Sequence, residues 1–167
     1  MNIKCILFDR DGTLGYLDDE RFPQTFHAFA PIATVFAQIK ARGYTVGIIT
    51  NQSSIARGTG NQYDFNKEFA SYGADIWKIC PHDNHHNCDC RKPKSGLLLA
   101  ATKDLGIAPE HCLVVGDRIS DVICAKNVGA QAALVLTGKG IEEQEQVKRT
   151  YSNVKILKRF DEILSFL

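Results

Sequence analysis

The sequence has no apolar run approaching the ~18 residues that cross a bilayer, and no apolar stretch of signal-peptide length at its start. A membrane is therefore not an expected partner, and a cytoplasmic location is. No run of about five basic residues occurs, and Lys+Arg 20 against Asp+Glu 19 leaves almost no net charge to steer a polyanion. Nucleic acid is not an expected partner either. Internal repeats, low-complexity segments and linkers are also missing, and 167 residues fill one domain with little room for a second. The expectation is a single domain over 1–167, working as a monomer. Six cysteines do not make a disulfide framework here, because the chain is larger than the usual stapled domain and carries no export signal. Cys5, Cys112 and Cys124 keep apolar company and read as small buried hydrophobes, whereas Cys80, Cys88 and Cys90 crowd into one polar segment with histidines.

What is present alternates. Apolar, partly β-branched runs at Ile3–Phe8, Tyr44–Thr50, Ala74–Ile79, Cys112–Val115 and Ala132–Leu136 read as buried strands. Between them, Ile32, Val35, Phe36 and Ile39 recur at helical spacing before Gly43, and Phe65, Phe69 and Tyr72 share a face before Gly73. Ser95 is a plausible N-cap for a helix through Leu97, Leu98, Ala101 and Leu105, closed by Gly106. Further helices are expected from about Ser120 to Asn127 and from Ile141, then a short strand at Val154–Leu157 and a packing helix through Phe160, Ile163 and Leu164. Residues 14–29, rich in aromatics and turn formers, read as an ordered loop bordering a site. The pattern predicts a single-domain α/β fold with a doubly wound, mostly parallel sheet, which binds its ligand at the carboxyl ends of the strands.

Three of those strands end in polar clusters: Asp9 and Asp11, Thr50 and Asn51, Asp117 and Asp121. Neighbouring parallel strands would bring them together, and carboxylates so close repel unless a hard cation shares them. An oxygen-rich site with few protein ligands suits Mg²⁺ that keeps waters and a substrate phosphate, which implies an anionic substrate. A second cluster, Cys80-x-His82 and Cys88-x-Cys90, offers three thiolates and an imidazole to tetrahedral Zn²⁺, with His85 and His86 as alternatives to His82. Four protein ligands close such a site, so the zinc is expected to be structural.

Asp-Arg-Asp-Gly-Thr at 9–13, Thr50, Lys92 and Gly-Asp-x-x-x-Asp at 116–121, in that order over the whole chain, resemble the haloacid dehalogenase (HAD) superfamily of phosphohydrolases. The resemblance implies Asp9 as nucleophile, Asp11 as general acid and base, Thr50 and Lys92 holding the phosphoryl group, Mg²⁺ on Asp9, Asp11 and Asp117, and Asp121 in support. Thr-Asn-Gln-Ser-x-Ile-Ala-Arg-Gly at 50–58 and Cys-Pro-His followed by Cys-x-Cys-Arg-Lys-Pro narrow it to the branch of D-glycero-D-manno-heptose 1,7-bisphosphate 7-phosphatases and histidinol-phosphate phosphatases. That branch lacks a large cap domain, and its zinc loop, here residues 80–92, walls the site. By the same resemblance Arg91 recognises the distant end of a small phosphorylated metabolite, aided by Asn51, Gln52, Ser53 and Arg57. A bidentate guanidinium suits a second phosphate.

Several positions depart from the branch: Ser54 replaces its usual glycine, Leu14-Gly15 its Ile-Asn, and only residues 83–87 separate the two zinc-ligand pairs. None touches Asp9, Asp11, Thr50, Lys92 or Asp117, so the expected activity is Mg²⁺-dependent hydrolysis of a sugar phosphate or bisphosphate, with histidinol phosphate as the alternative substrate. A reading from a different class, a non-catalytic zinc-stabilised binding module, gives no use for both Asp9 and Asp11.

Overall fold

The computed structural model describes residues 2–167. Its centre is β1 (Cys5–Phe8), whose four residues are all buried, because both faces of the strand are covered. Ile6 and Phe8 point into one apolar layer with α1 (Ile32–Ala41) and α3 (Phe65–Ser71). Cys5 and Leu7 point into the other, with α4 (Gly96–Leu105), α5 (Ile119–Lys126) and α6 (Gly140–Thr150). Phe8 stacks on Phe36 at 5.3 Å and meets Phe160 edge-on at 6.0 Å, which locks the carboxyl end of β1 in place.

The chain winds outward from β1 in two directions. Through α1 it reaches β4 (Thr45–Asn51) and then β5 (Ile76–Cys80). It then crosses to the other side of β1 for β6 (Cys112–Gly116), β7 (Gln131–Val135) and β8 (Lys155–Leu157), giving the order β5-β4-β1-β6-β7-β8 with every pairing parallel. The strand order reverses at β1 and β6, which opens a crevice outside their carboxyl ends.

Three expectations change. Residues 14–29 are not a plain loop: β2 (Gly15–Leu17) and β3 (Phe26–Ala28) form an antiparallel hairpin with a 3₁₀ turn at Pro23–Thr25 between them. Ser95 precedes α4 as expected but makes no cap bond; its hydroxyl donates to the Cys124 carbonyl at 2.7 Å, tying the start of α4 to α5. The final packing helix is 3₁₀, over Phe160–Ser165. Besides the hairpin, α2 (Ser53–Ala56) and the segment between β5 and α4 flank the crevice, and no larger insertion occurs among the described residues. No helix is long and apolar enough to cross a membrane among those residues.

Candidate active site

Asp9 follows β1 directly, and its backbone N–H donates to the Val115 carbonyl on β6 at 2.9 Å. Asp117 follows β6, and Asp121 lies on the first turn of α5. Strand adjacency thus converts a separation of more than 100 residues into one cluster: Asp9, Asp117 and Asp121 are buried, with carboxylate oxygens within 4.8 Å of one another. One cation answers them. The Lys92 ammonium, 2% exposed, donates to Asp9 Oδ1 at 2.7 Å and to the Ile49 carbonyl at 2.9 Å, and lies 2.6 Å from Asp121 Oδ1 in an ion pair outside hydrogen-bond geometry. Burial alone would pull Lys92 down; Asp121 and Asp9 outweigh it and raise it.

One ammonium does not balance three carboxylates. Burial, then Asp9 and Asp121, push the Asp117 carboxyl up to about 7, and burial raises Asp121 against the pull of Lys92. Asp117 is nevertheless firmly seated. Thr13 donates to its Oδ1 at 3.3 Å, and the Lys139 backbone N–H donates to Oδ2 at 2.9 Å. The chain leaves room for it only because Gly12 and Gly138, both at positive φ, have no side chain: a Cβ on either would fall 2.2 or 2.1 Å from Asp117 Oδ2. Excess negative charge on an oxygen-only donor set fits a hard divalent cation such as Mg²⁺. Asp121 has both oxygens engaged, one by Lys92 and the other by the Arg118 backbone N–H at 3.1 Å, which leaves Asp9 and Asp117 to ligate and Asp121 to support.

Asp11 stands apart from this cluster. Arg10 donates to its Oδ1 at 2.6 Å and Gln52 to its Oδ2 at 2.8 Å. Burial raises the Asp11 carboxyl, with Arg10 opposing. A cleft of about 820 Å³ opens at the acids, and its lining includes Asp9, Asp11, Tyr16, Glu20, Arg91 and Arg118.

The residues expected to bind substrate, Asn51, Gln52, Ser53, Arg57 and Arg91, all line this cleft, and they also make contacts within the protein. Asn51 Nδ2 donates to the Lys92 carbonyl at 3.1 Å while its Oδ1 accepts the Lys92 N–H at 3.0 Å, a reciprocal clamp on the backbone of the buried lysine. Gln52 Nε2 donates also to Thr50 Oγ1 at 3.0 Å, and Thr50 itself is 1% exposed. Arg57, although it borders the cleft, makes a two-pronged ion pair with Asp83 at 2.6 and 2.8 Å. Arg91 donates to Ser53 Oγ at 2.9 Å and to the His82 carbonyl at 3.2 Å, with its remaining N–H groups uncommitted among the described residues.

The Cys/His cluster assembles beside the cleft. Cys80 ends β5, and its sulfur lies 3.6 Å from His82 Nδ1, 3.6 Å from Cys88 Sγ and 3.2 Å from Cys90 Sγ; His82 Nδ1 to Cys90 Sγ is 3.3 Å. These separations are close to the edges of a tetrahedron around a metal with sulfur at ~2.3 Å and nitrogen at ~2.0 Å. They are far too long for a disulfide. Burial opposes ionisation of Cys88, but N–H groups of Arg91 and Cys90 and the adjacent thiols bring it down to about 6. Cys90 is pushed up to about 12 by burial and by Cys80 and Cys88. Three thiolates share this pocket comfortably only around a cation. His82 is the imidazole in the set: His86 Nδ1 instead accepts the Asp83 N–H at 2.9 Å, and the His85 ring lies tilted against His86 with centroids 4.3 Å apart.

Two parts of the site were missed by the sequence reading. Arg10 is the bulkiest fully buried side chain among the described residues, and an arginine between two acids at a strand end was the available signal. The loop after β7, where Gly138 and Lys139 seat Asp117 and Thr137 Oγ1 donates to the Gly12 carbonyl at 2.6 Å, could have been found from Gly-Lys-Gly ending a fourth strand at the same sheet edge.

A parallel sheet that gathers buried carboxylates and a lysine under an open, arginine-bordered cleft defines a hydrolase of the phosphate-handling kind. Comparison with known proteins agrees. A HAD-hydrolase-like family model matches residues 89–162. The D-glycero-beta-D-manno-heptose-1,7-bisphosphate 7-phosphatase of Pseudomonas putida is 37% identical over 150 residues, covering 83% of this chain and 85% of the relative. The alpha-anomer enzyme of Campylobacter jejuni is 33% identical, over 99% of this chain and 96% of its own. The crystal structure of D,D-heptose 1,7-bisphosphate phosphatase from B. bronchiseptica, complexed with magnesium and phosphate, superposes with a TM-score of 0.84 at 26% identity, covering 98% of this chain and 97% of that one. The chain belongs to the HAD-superfamily phosphatases, in the family of these heptose-bisphosphate phosphatases.

Proposed function

We propose that the protein is a Mg²⁺-dependent phosphomonoesterase of a sugar bisphosphate resembling heptose 1,7-bisphosphate. The observation that carries this reading is the Lys92 ammonium set between Asp9 and Asp121 in a buried cluster with Asp117, while Asp11 is held off the cluster beside it.

In the first step an Asp9 oxygen attacks phosphorus, the bond from phosphorus to the leaving alcohol breaks, and Asp11 gives its proton to that oxygen. In the second, Asp11 takes a proton from water, the water oxygen attacks phosphorus, and Asp9 is released with inorganic phosphate. Lys92 and the Thr50 hydroxyl meet the charge that develops on the equatorial oxygens. Asp9, Asp117 and the Asp11 backbone carbonyl would hold Mg²⁺, which would supply further positive charge there. Arg91, with Ser53 beneath it, recognises the distant phosphate, whereas Asn51, Gln52 and Arg57 serve that wall by holding Lys92, Asp11 and Asp83.

Residues 1–167 act as one hydrolase domain, with the loop 80–92 closed by a structural Zn²⁺ on Cys80, His82, Cys88 and Cys90. Cysteines held as zinc ligands rather than as disulfides suit a reducing cytoplasm. The large exposed apolar side chains, Tyr16, Leu99, Ile141 and Phe166, lie on separate elements, in keeping with a monomer. A phosphometabolite panel with and without Mg²⁺ tests the reading. Heptose 1,7-bisphosphate should be among the best substrates and Asp9→Asn inactive. Preference for histidinol phosphate would move the substrate, and no turnover of any phosphoester would leave a binding module.

A further inference from the structure

We propose that Arg10 and Gln52 are positioning residues for Asp11, gripping one carboxylate oxygen each so that its proton is delivered to the leaving oxygen. The inference rests on the phosphomonoesterase reading above. Asp11 is a short side chain on a turn, 30% exposed to the cleft, and an ungripped carboxylate there would sample several rotamers. Arg10 N–H takes Oδ1 at 2.6 Å and Gln52 N–H takes Oδ2 at 2.8 Å, which fixes both torsions while leaving each oxygen a lone pair for the proton.

Neither donor can enter the proton transfer itself. A guanidinium keeps its proton at any working pH, and a carboxamide has none to exchange with an acid. Both are in turn immobilised. Arg10 is 0% exposed, binds Glu68 through Nε and Nη2 at 2.9 Å each, donates to the Pro23 carbonyl at 2.9 Å and lies 4.1 Å from the Phe26 ring centre. The second Gln52 contact, to Thr50 Oγ1 at 3.0 Å, anchors the amide to the end of β4. Burying a guanidinium is costly, and a salt bridge to Glu68 alone could be replaced by apolar packing at no loss. The contact with Asp11 gives the buried cation a use.

Leaving-group dependence separates positioning from mere support. p-Nitrophenolate leaves without a proton, whereas a sugar alkoxide needs one, so a misplaced acid slows phosphorylation of Asp9, the step kcat/KM reports, only for the alkyl substrate, while hydrolysis of phosphorylated Asp9 is slowed alike for both. In Gln52→Met, kcat/KM for an alkyl sugar phosphate should fall at least tenfold more than for p-nitrophenyl phosphate. That would be part of the ~10²–10⁴-fold selective loss expected of Asp11→Asn. Slow hydrolysis of phosphorylated Asp9 should also appear as a nitrophenol burst near one equivalent. Arg10→Lys, which reaches Asp11 or Glu68 but not both, should show the same selectivity if Gln52→Met fails to fold. Glu68→Gln should cost stability and leave the ratio of the two substrates unchanged. Equal losses on both substrates in folded Gln52→Met and Arg10→Lys would overturn the proposal. Failure of the wild-type protein to hydrolyse either substrate with Mg²⁺ would instead overturn the proposed function.

Discussion

Lys92→Met is the substitution that tests the charge balance of the site most directly. Methionine fills nearly the same volume, so the change removes one positive charge from among three carboxylates together with the hydrogen bond to the Ile49 carbonyl. At 2.7 Å from Asp9 and 2.6 Å from Asp121, each pair is worth about 6 kcal/mol of gross attraction at an effective dielectric of about 20. Most of that is offset by the desolvation of the ammonium and the acids. The net cost of truncating one partner of a buried pair is about 3–5 kcal/mol, or on the order of 10 °C in Tm for a chain of this length. Two further effects separate charge from packing. Mg²⁺ should bind the variant more tightly than the wild type, because the competing cation is gone, and should restore part of the lost Tm. Turnover of p-nitrophenyl phosphate should nevertheless fall about 10²–10³-fold, the usual cost of one missing transition-state donor. Thermal melts with and without Mg²⁺, calorimetric titration of the metal and steady-state rates supply the three numbers. A variant with unchanged Tm, weaker Mg²⁺ binding and activity within tenfold of wild type would refute the reasoning.

The purified protein should carry about one equivalent of zinc, and Cys88→Ser should lose it together with solubility or folding; metal analysis of unchelated protein checks this. In the metal-free enzyme, Asp117 titrates near 7 against an ordinary 3.8, so the folded state holds a proton that the unfolded chain has released. Its contribution therefore lowers stability as pH rises from about 4 to 7, by at most about 4 kcal/mol. Mg²⁺ should flatten that slope in denaturant titrations at pH 5 and 7.5. Gly138→Ala sets a Cβ 2.1 Å from Asp117 Oδ2 at a φ of 52°, and should weaken Mg²⁺ binding more than tenfold and lower Tm; an unchanged Mg²⁺ titration would count against this seat for Asp117.

Much of this architecture was legible because two-sided burial writes itself as a continuous apolar run. The β1, β4 and β6 segments stood out for that reason, and the acids at their ends followed. The hairpin at 15–28 escaped because its strands are three residues each and half exposed, so no alternation accumulates. Ser95 misled because a serine before a helix satisfies a cap pattern whether or not its hydroxyl turns inward, and here a carbonyl of another helix was nearer. The same limit applies to Asn51, Gln52 and Arg57. Their residue types announce polar contacts, but only three dimensions reveal that Lys92, Asp11 and Asp83 are the partners. Arg10 was hidden by composition statistics, since a guanidinium is rarely found wholly inside a protein.

The cysteine and histidine ligands lie within eleven positions, from the last residue of β5 to the approach of α4, so the segment closes on itself. Its interior, residues 83–87, takes part in no sheet pairing and reaches the rest of the cleft wall through the Asp83–Arg57 pair. The segment also borders the cleft through Asn84, Asn87, Cys88 and Arg91. Reaction and recognition thus belong to separately replaceable parts. Exchange of this metal-pinned insert, with its four ligands retained, offers a compact route to new substrates on an unchanged chemical engine.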